Sequence, residues 1–276
     1  MPTEQMLRSS VARLRQELGR ALPAEAPLLE AVRKDPASIL SGAKIAPDPW
    51  QAELLRARWS RALLLCSRQV GKSTAAAGLA LHAALTRPGS LTLLLSPTLR
   101  QSGELFRDKV LRLWRALGSP LAGRPPTQLE VALANGSRVV SLPGEESNTR
   151  GFSGVGLLVI DEAARVPDDL YRAVRPMLAV SGGRLVCLST AFAKMGWFYE
   201  AFTGSDPWRR VRVRARECAR ISAEFLEEER KALGRRWFAM EYDAEFQDAV
   251  ASLFSGEDIR AALSAEVTPL FGGEGP

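Results

Sequence analysis

Cys66-Ser67-Arg68-Gln69-Val70-Gly71-Lys72-Ser73-Thr74 begins on the last residue of the apolar run 62–66 and leads into a stretch with helical periodicity. A Gly-Lys-hydroxyl triplet between a buried strand and a helix is the second half of a P-loop, GxxxxGK[ST]. Cys66 stands where that pattern has its first glycine. The mechanical need is for backbone N–H groups that wrap a phosphate and a helix N-terminus aimed at it. On this reading Ser67, Arg68, Gln69, Val70, Gly71, Lys72, Ser73 and Thr74 form the cradle. Lys72 would reach the β- and γ-phosphates of a nucleotide, and the Ser73 hydroxyl would bind Mg²⁺. The blander reading is a strand, turn and helix with an exposed lysine.

Some ninety residues on, Leu157-Leu158-Val159-Ile160-Asp161-Glu162 sets two acids at the end of four apolar residues. A buried strand delivers its last side chains to the carboxyl edge of the sheet, where ligands bind. Asp161 is suited to holding the metal. Glu162 is suited to orienting and deprotonating an attacking water, a job that needs a carboxylate free to take a proton. The blander reading is a strand end with solvated acids.

Around these two motifs, short apolar runs alternate with amphipathic segments. Strands are predicted over 62–66, 91–96, 129–133, 138–142, 157–161, 185–189 and 211–215, and helices over 73–85, 101–117 and 167–177. Such alternation predicts a largely parallel sheet covered on both faces, and runs as continuous as LTLLL and LLVI suit strands buried on both sides. Asn135-Gly136 marks a hairpin between 129 and 142. Apolar spacing predicts helices over 4–22 and 28–34, and residues 1–44 read as a helical N-terminal appendage. The core runs over 45–220, a helical segment over 221–250, and the Gly- and Pro-rich end over 251–276 reads as a linker.

Composition narrows the class. The chain has 276 residues and a net charge of +6, with a pI near 9.6, a balance that allows a nucleic-acid partner without demanding one. No apolar run approaches membrane-spanning length, and the N-terminus lacks a secretion signal, so an intracellular protein is expected. Cys66, Cys187 and Cys218 have neither disulfide nor zinc spacing. His82, the one histidine, falls in the helical pattern after the P-loop and is expected to pack rather than catalyse.

The ordered set of motifs resembles the ATPase domain of phage large terminases, the motors that pump double-stranded DNA into capsids. Trp50-Gln51 precedes the first strand, and SRQVGKS resembles the family's variant P-loop. Ser96-Pro97-Thr98 with Gln101 follows the second strand, and Asn148-Thr149-Arg150-Gly151 precedes VIDEAA. Leu188-Ser189-Thr190 ends a strand before Gly196-Trp197-Phe198-Tyr199-Glu200. Arg236-Trp237-Phe238, Glu241-Tyr242 and Glu245-Phe246 close the set, which spans roughly residues 45–260.

The resemblance implies an α/β P-loop NTPase of the additional-strand, catalytic-glutamate type. Its mostly parallel sheet would be sandwiched by helices, with a C-terminal helical lid. It implies ATP and Mg²⁺ as cofactors, Gln51 reading adenine, and Ser189 and Thr190 as a coupling motif that senses the γ-phosphate. Arg150 aligns with an arginine offered in trans to a neighbouring subunit, while Arg68 is the competing candidate in cis. Implied partners are double-stranded DNA, a portal protein, a small terminase subunit and further copies of the chain. Those copies would form a ring, taken as a pentamer, on the capsid, and the chain could be a monomer in solution. The implied setting is the cytoplasm of an infected bacterial host. The family's nuclease carboxylate cluster does not follow Phe254-Ser255-Gly256-Glu257-Asp258-Ile259, so no DNA cleavage is expected from this chain alone. A helicase-like nucleic-acid-dependent ATPase is the alternative, and a nucleotide-holding scaffold without turnover is a third.

Arg210, Arg212, Arg214 and Arg216 alternate with apolar residues. On one strand they would share a face and could follow DNA phosphates. The competing explanation is an edge strand guarded by charge.

Overall fold

The computed structural model describes residues 25–144 and 151–248. The helix expected over 4–22, the end expected as a linker over 251–276, and Asn148, Thr149 and Arg150 lie outside the described residues.

Among the described residues, seven strands form one sheet: β1 (Arg61–Cys66), β2 (Leu91–Ser96), β3 (Glu130–Ala132), β4 (Arg138–Pro143), β5 (Val155–Asp161), β6 (Arg184–Ser189) and β7 (Arg209–Val213). Their order is β3-β4-β2-β5-β6-β1-β7. All neighbours pair in parallel except β3 and β4, which form the hairpin predicted at Asn135-Gly136. The helices are α1 (Glu25–Lys34), α2 (Ser38–Gly42), α3 (Pro49–Arg56), α4 (Lys72–Thr86), α5, α6 (Asp168–Val174), α7 (Gly196–Thr203) and α8 (Ala223–Glu241). Helix α5 runs from Leu99–Glu104 through a π-wound Leu105–Leu111 into Arg112–Ala116.

Period-two geometry explains why the strands read as unbroken apolar runs. On β1, Ala62, Leu64 and Cys66 enter one core while Leu63 and Leu65 enter the other. On β5, Leu157 and Val159 face the first core, and Leu158 and Ile160 the second. Each leucine so buried contributes about 1.5–3 kcal/mol, and a shift of one residue in register would exchange the two sets.

The first core extends further toward the N-terminus than an appendage ending at residue 44 implies. Val32, Ile39 and Leu40 are fully buried in the cluster that holds α4. Gly78 of α4 is where they close in: an added Cβ would stand 3.4 Å from Leu40 and 3.5 Å from Ile39.

Two expectations need correction. The strand predicted over 211–215 is β7, which ends at Val213. Arg214 leads into a 3-10 turn, Ala215–Glu217. Of the row of four, only Arg210 and Arg212 therefore sit on the strand. Helix α8 is interrupted at Gly234, whose φ of 71° and ψ of 167° suit glycine alone. On this helix Phe225, Leu233 and Trp237 are exposed, whereas Phe238 is buried. Among the described residues no helix is long and apolar enough to cross a membrane.

His82 lies half-buried on α4. Burial, aided by the charges of Arg184 and Arg87, lowers its pKa from 6.5 to about 4. The folded protein thus keeps His82 neutral over a range where the unfolded chain takes up a proton. Stability should fall as pH drops from about 6.5 to about 4, by at most about 3 kcal/mol from this group. Chemical denaturation across that window should show a shallower pH slope for His82→Gln. An unchanged slope would contradict the assignment.

Candidate functional site

The parallel sheet brings the carboxyl ends of β1, β5 and β6 to one edge. Because β6 lies between β1 and β5, the residues after β6 fall between the P-loop and the acid pair. This one topological fact places Ser189 and Thr190 beside the chemistry.

The loop after β1 turns through two left-handed residues, Gln69 (φ 63°) and Gly71 (φ 88°). Alternation of this kind curls successive N–H groups into an anion-binding concavity, and the N–H groups of the first turn of α4 have no partner within the helix. The Ser67 N–H donates to the Val213 carbonyl at 2.8 Å and the Arg68 N–H to the Glu241 carbonyl at 3.0 Å. Those two amides tie the loop to β7 and α8. The later amides, from Gln69 onward, are the ones placed for a phosphate.

Gln51 is 3% exposed. Its Nε2 donates to the Gly71 carbonyl at 2.9 Å, and its Oε1 accepts from the Asp48 N–H at 2.9 Å. The residue expected to read adenine thus braces the P-loop. Arg220, which carried no motif, pairs with Asp48 at 2.6 Å and donates to the Val70 carbonyl at 3.4 Å, a second brace on the same turn.

Lys72 and Glu162 meet across the cleft, with Nζ to Oε1 at 2.7 Å. Burial opposes the lysine's charge, but Asp161 and Glu162 outweigh it and hold the pKa above the usual lysine value. Glu162 has φ 50° and ψ 40°, a left-handed conformation that costs a side-chain-bearing residue on the order of 1–3 kcal/mol and collects at functional sites. Its other oxygen accepts from Arg165 Nη1 at 2.9 Å. The same nitrogen donates to Thr190 Oγ1 at 3.1 Å, and the guanidinium stacks over Phe192 at 5.0 Å. Ser189 Oγ accepts from the Ala164 N–H at 3.2 Å. Both coupling candidates therefore touch the segment that carries Glu162. Arg165 was missed from the sequence, although its spacing of three from Glu162 was there to read.

Asp161 is 7% exposed and accepts from the Glu162 N–H at 3.0 Å. Burial raises its pKa to about 6 against the pull of Lys72. It lines a cavity of about 340 Å³ together with Ser73 and Lys72. A buried carboxylate and a hydroxyl facing one space are hard oxygen donors of the kind Mg²⁺ takes, so the residues fit that ion. A neighbouring cleft of about 500 Å³ is lined by Arg68, Lys72, Ser73, Glu162, Arg165 and Thr190, with Gln101 and Lys109 entering from α5. Arg68 reaches it while paired to Glu241 at 2.5 Å. Burial pushes the Cys66 thiol up to about 12, so it is a packed, unreactive group.

The arginine row does not converge on this site. Arg210 Nη2 donates to the carbonyls of Ala201 and Gly204 at 2.9 and 2.7 Å, which completes the C-terminus of α7. Arg212 lies over Phe202 at 5.6 Å. As β7 is the last strand in the sheet order, this geometry favours edge protection.

The family model for the N-terminal region of the T4likevirus-type terminase large subunit matches residues 63–261. The chain belongs to the terminase large-subunit family. Among curated relatives, the terminase large subunit of Thermus phage G20c is 27% identical over 258 residues, covering 80% of this chain and 53% of the relative. The chain thus spans about half the length of the curated relatives it matches. Among solved structures, the large terminase ATPase domain of Thermus phage P74-26 aligns with a TM-score of 0.65 at 22% identity, covering 75% of this chain and 97% of that one. The large terminase of a thermophilic bacteriophage in complex with ADP aligns at 0.57 and 14% identity, covering 77% and 53%. That terminase has also been solved with ATP-gamma-S. These likenesses establish the terminase-type P-loop NTPase fold.

An alanine Cβ at position 71 would stand 2.6 Å from Gln51 Nε2 in a backbone conformation that strains side chains. Gly71→Ala should destabilise the fold by about 1–3 kcal/mol and weaken nucleotide binding. Urea denaturation checks the first part, and an unshifted midpoint would contradict it.

Proposed function

We propose that this chain is the ATP-hydrolysing motor region of a terminase large subunit, driving double-stranded DNA into a viral procapsid. The observation that carries the reading is the Lys72–Glu162 contact at 2.7 Å, which seats a phosphate-gripping cation and a water-activating carboxylate in one cleft. The ADP and ATP-gamma-S complexes of the thermophilic phage terminase support ATP as the ligand.

In this reading the amides from Gln69 to Ser73 wrap the phosphates, and an incoming γ-phosphate draws Lys72 away from Glu162. The freed carboxylate orients water and takes its proton. Ser73 and Asp161 would hold Mg²⁺, which would offset negative charge on the phosphate oxygens. Thr190 and Ser189, bonded to the Glu162 segment, would report loss of the γ-phosphate toward α8. Arg68, tied to Glu241 of α8, is placed to share that report. Gln51 keeps one N–H and one lone pair beyond its two bonds, enough to meet adenine from its bracing position.

Arg150 is assigned as the arginine given in trans, on the resemblance of Asn148-Thr149-Arg150-Gly151 to the family's motif. It implies a ring, taken as a pentamer, with a portal protein and a small terminase subunit as partners in the cytoplasm of an infected bacterium. An arginine inserted in this way is worth about 10³–10⁵ in turnover.

ATP turnover per subunit, followed against protein concentration, should rise for the wild type. It should stay flat and low for Arg150→Ala. Turnover that is independent of concentration and indifferent to Arg150 would remove the trans role and favour Arg68 in cis.

A further inference from the structure

At the opposite end of the sheet from the P-loop, where β1 and β6 begin, a cleft of about 740 Å³ opens. Among the described residues, three arginines line it, Arg61, Arg172 and Arg175, and no carboxylate does. Pro176, Leu178, Leu185 and Pro207 supply apolar lining.

The arginines differ in what holds them. Arg172 is neutralised by Asp169 at 3.0 Å, with Asp168 at 3.7 Å. Arg61 and Arg175 instead rest on aromatic rings. The Arg61 guanidinium lies 5.9 Å from the Trp208 centroid, and that of Arg175 lies 5.4 Å from the Tyr171 centroid. Both rings are buried. Tyr171 is further fixed by stacking on Trp197, with centroids 3.8 Å apart and planes within 3°. Asp206, in the loop before β7, forms no ion pair with either arginine among the described residues.

A guanidinium held near a ring by a cation–π contact, and not by a carboxylate, keeps its N–H groups available for an oxyanion. Two such groups beside buried rings, in a cleft with apolar lining, form a site for phosphate oxygens. The net charge of +6 adds a long-range attraction for a polyanion.

We propose that this cleft binds the phosphodiester backbone of double-stranded DNA, with Arg61 and Arg175 each taking a phosphate and the apolar lining meeting the sugars. This deepens the DNA-translocation reading and rests on it.

The test is the salt dependence of binding to a short labelled duplex, measured by fluorescence anisotropy for wild type, Arg61→Ala/Arg175→Ala and Arg61→Lys/Arg175→Lys. Thermal midpoints of all three confirm folding. Each phosphate contact contributes about 0.9 to the slope of log affinity against log salt. The alanine pair should therefore lower the slope by about 1.8, roughly a tenfold smaller loss of affinity between about 50 and 200 mM salt. The lysine pair should keep most of the slope.

An alanine pair with the wild-type slope would overturn the assignment and leave the motor reading intact. A slope lost equally in the lysine pair would show that packing, not charge, was removed, and would overturn it too. Failure of the wild type to bind any duplex while turning over ATP would sink the DNA reading and this site with it. Tripolyphosphate provides the other arm, titrated with ATP-gamma-S saturating the P-loop. Loss of its binding in the alanine pair, with duplex binding untouched, would assign the cleft to a free polyphosphate instead.

Discussion

Lys72 and Glu162 stand ninety residues apart in the chain and 2.7 Å apart in space, and the rest of the site is arranged around that contact. Two opposite charges, each less than a fifth exposed, hold one another across the cleft. Such a pair is costly to break by removing one partner, because the other charge stays behind without its water. A phosphate can break it at lower cost, since it offers Lys72 a replacement anion. In the proposed mechanism the contact is a structural clamp that an incoming phosphate opens.

What sustains the contact is the sheet. Parallel strands buried on both faces send their carboxyl ends to one edge, and the order β5-β6-β1 sets the width of the cleft at one strand. Thr190 fills that width, and Arg165 bridges it to Glu162. Glu162 is left-handed beside these neighbours, and the strain is located where the proton chemistry is proposed to occur. On the other side the loop is braced by Gln51, Arg220 and the carbonyls of Val213 and Glu241. The last of these belongs to α8, so displacement of that helix would pull directly on Arg68.

Much of this was legible in the sequence. The P-loop, the acid pair, the seven strands and the Asn135-Gly136 hairpin all rest on local signals, namely apolar period, turn residues and a helix start, and these need no knowledge of the partner strand. Arg165, Arg220 and the bracing of Gln51 depend on contacts made across the fold, which periodicity does not encode. The arginine row shows the reverse error. Alternation carried on past Val213, but the Arg214 N–H bonds to Glu217 and the chain turns, so the pattern outlived the strand. Gly234 was similar: helical spacing persisted around a residue whose backbone leaves the helix.

The most direct test of the central claim is equilibrium ATP binding by Glu162→Gln, measured beside its turnover. If Glu162 competes with phosphate for Lys72 and then acts on water, turnover should fall by about 10²–10⁴ while ATP affinity is kept or tightened. Loss of ATP affinity together with turnover would contradict the account, because Glu162 would then be holding the phosphate loop in shape rather than yielding to the nucleotide.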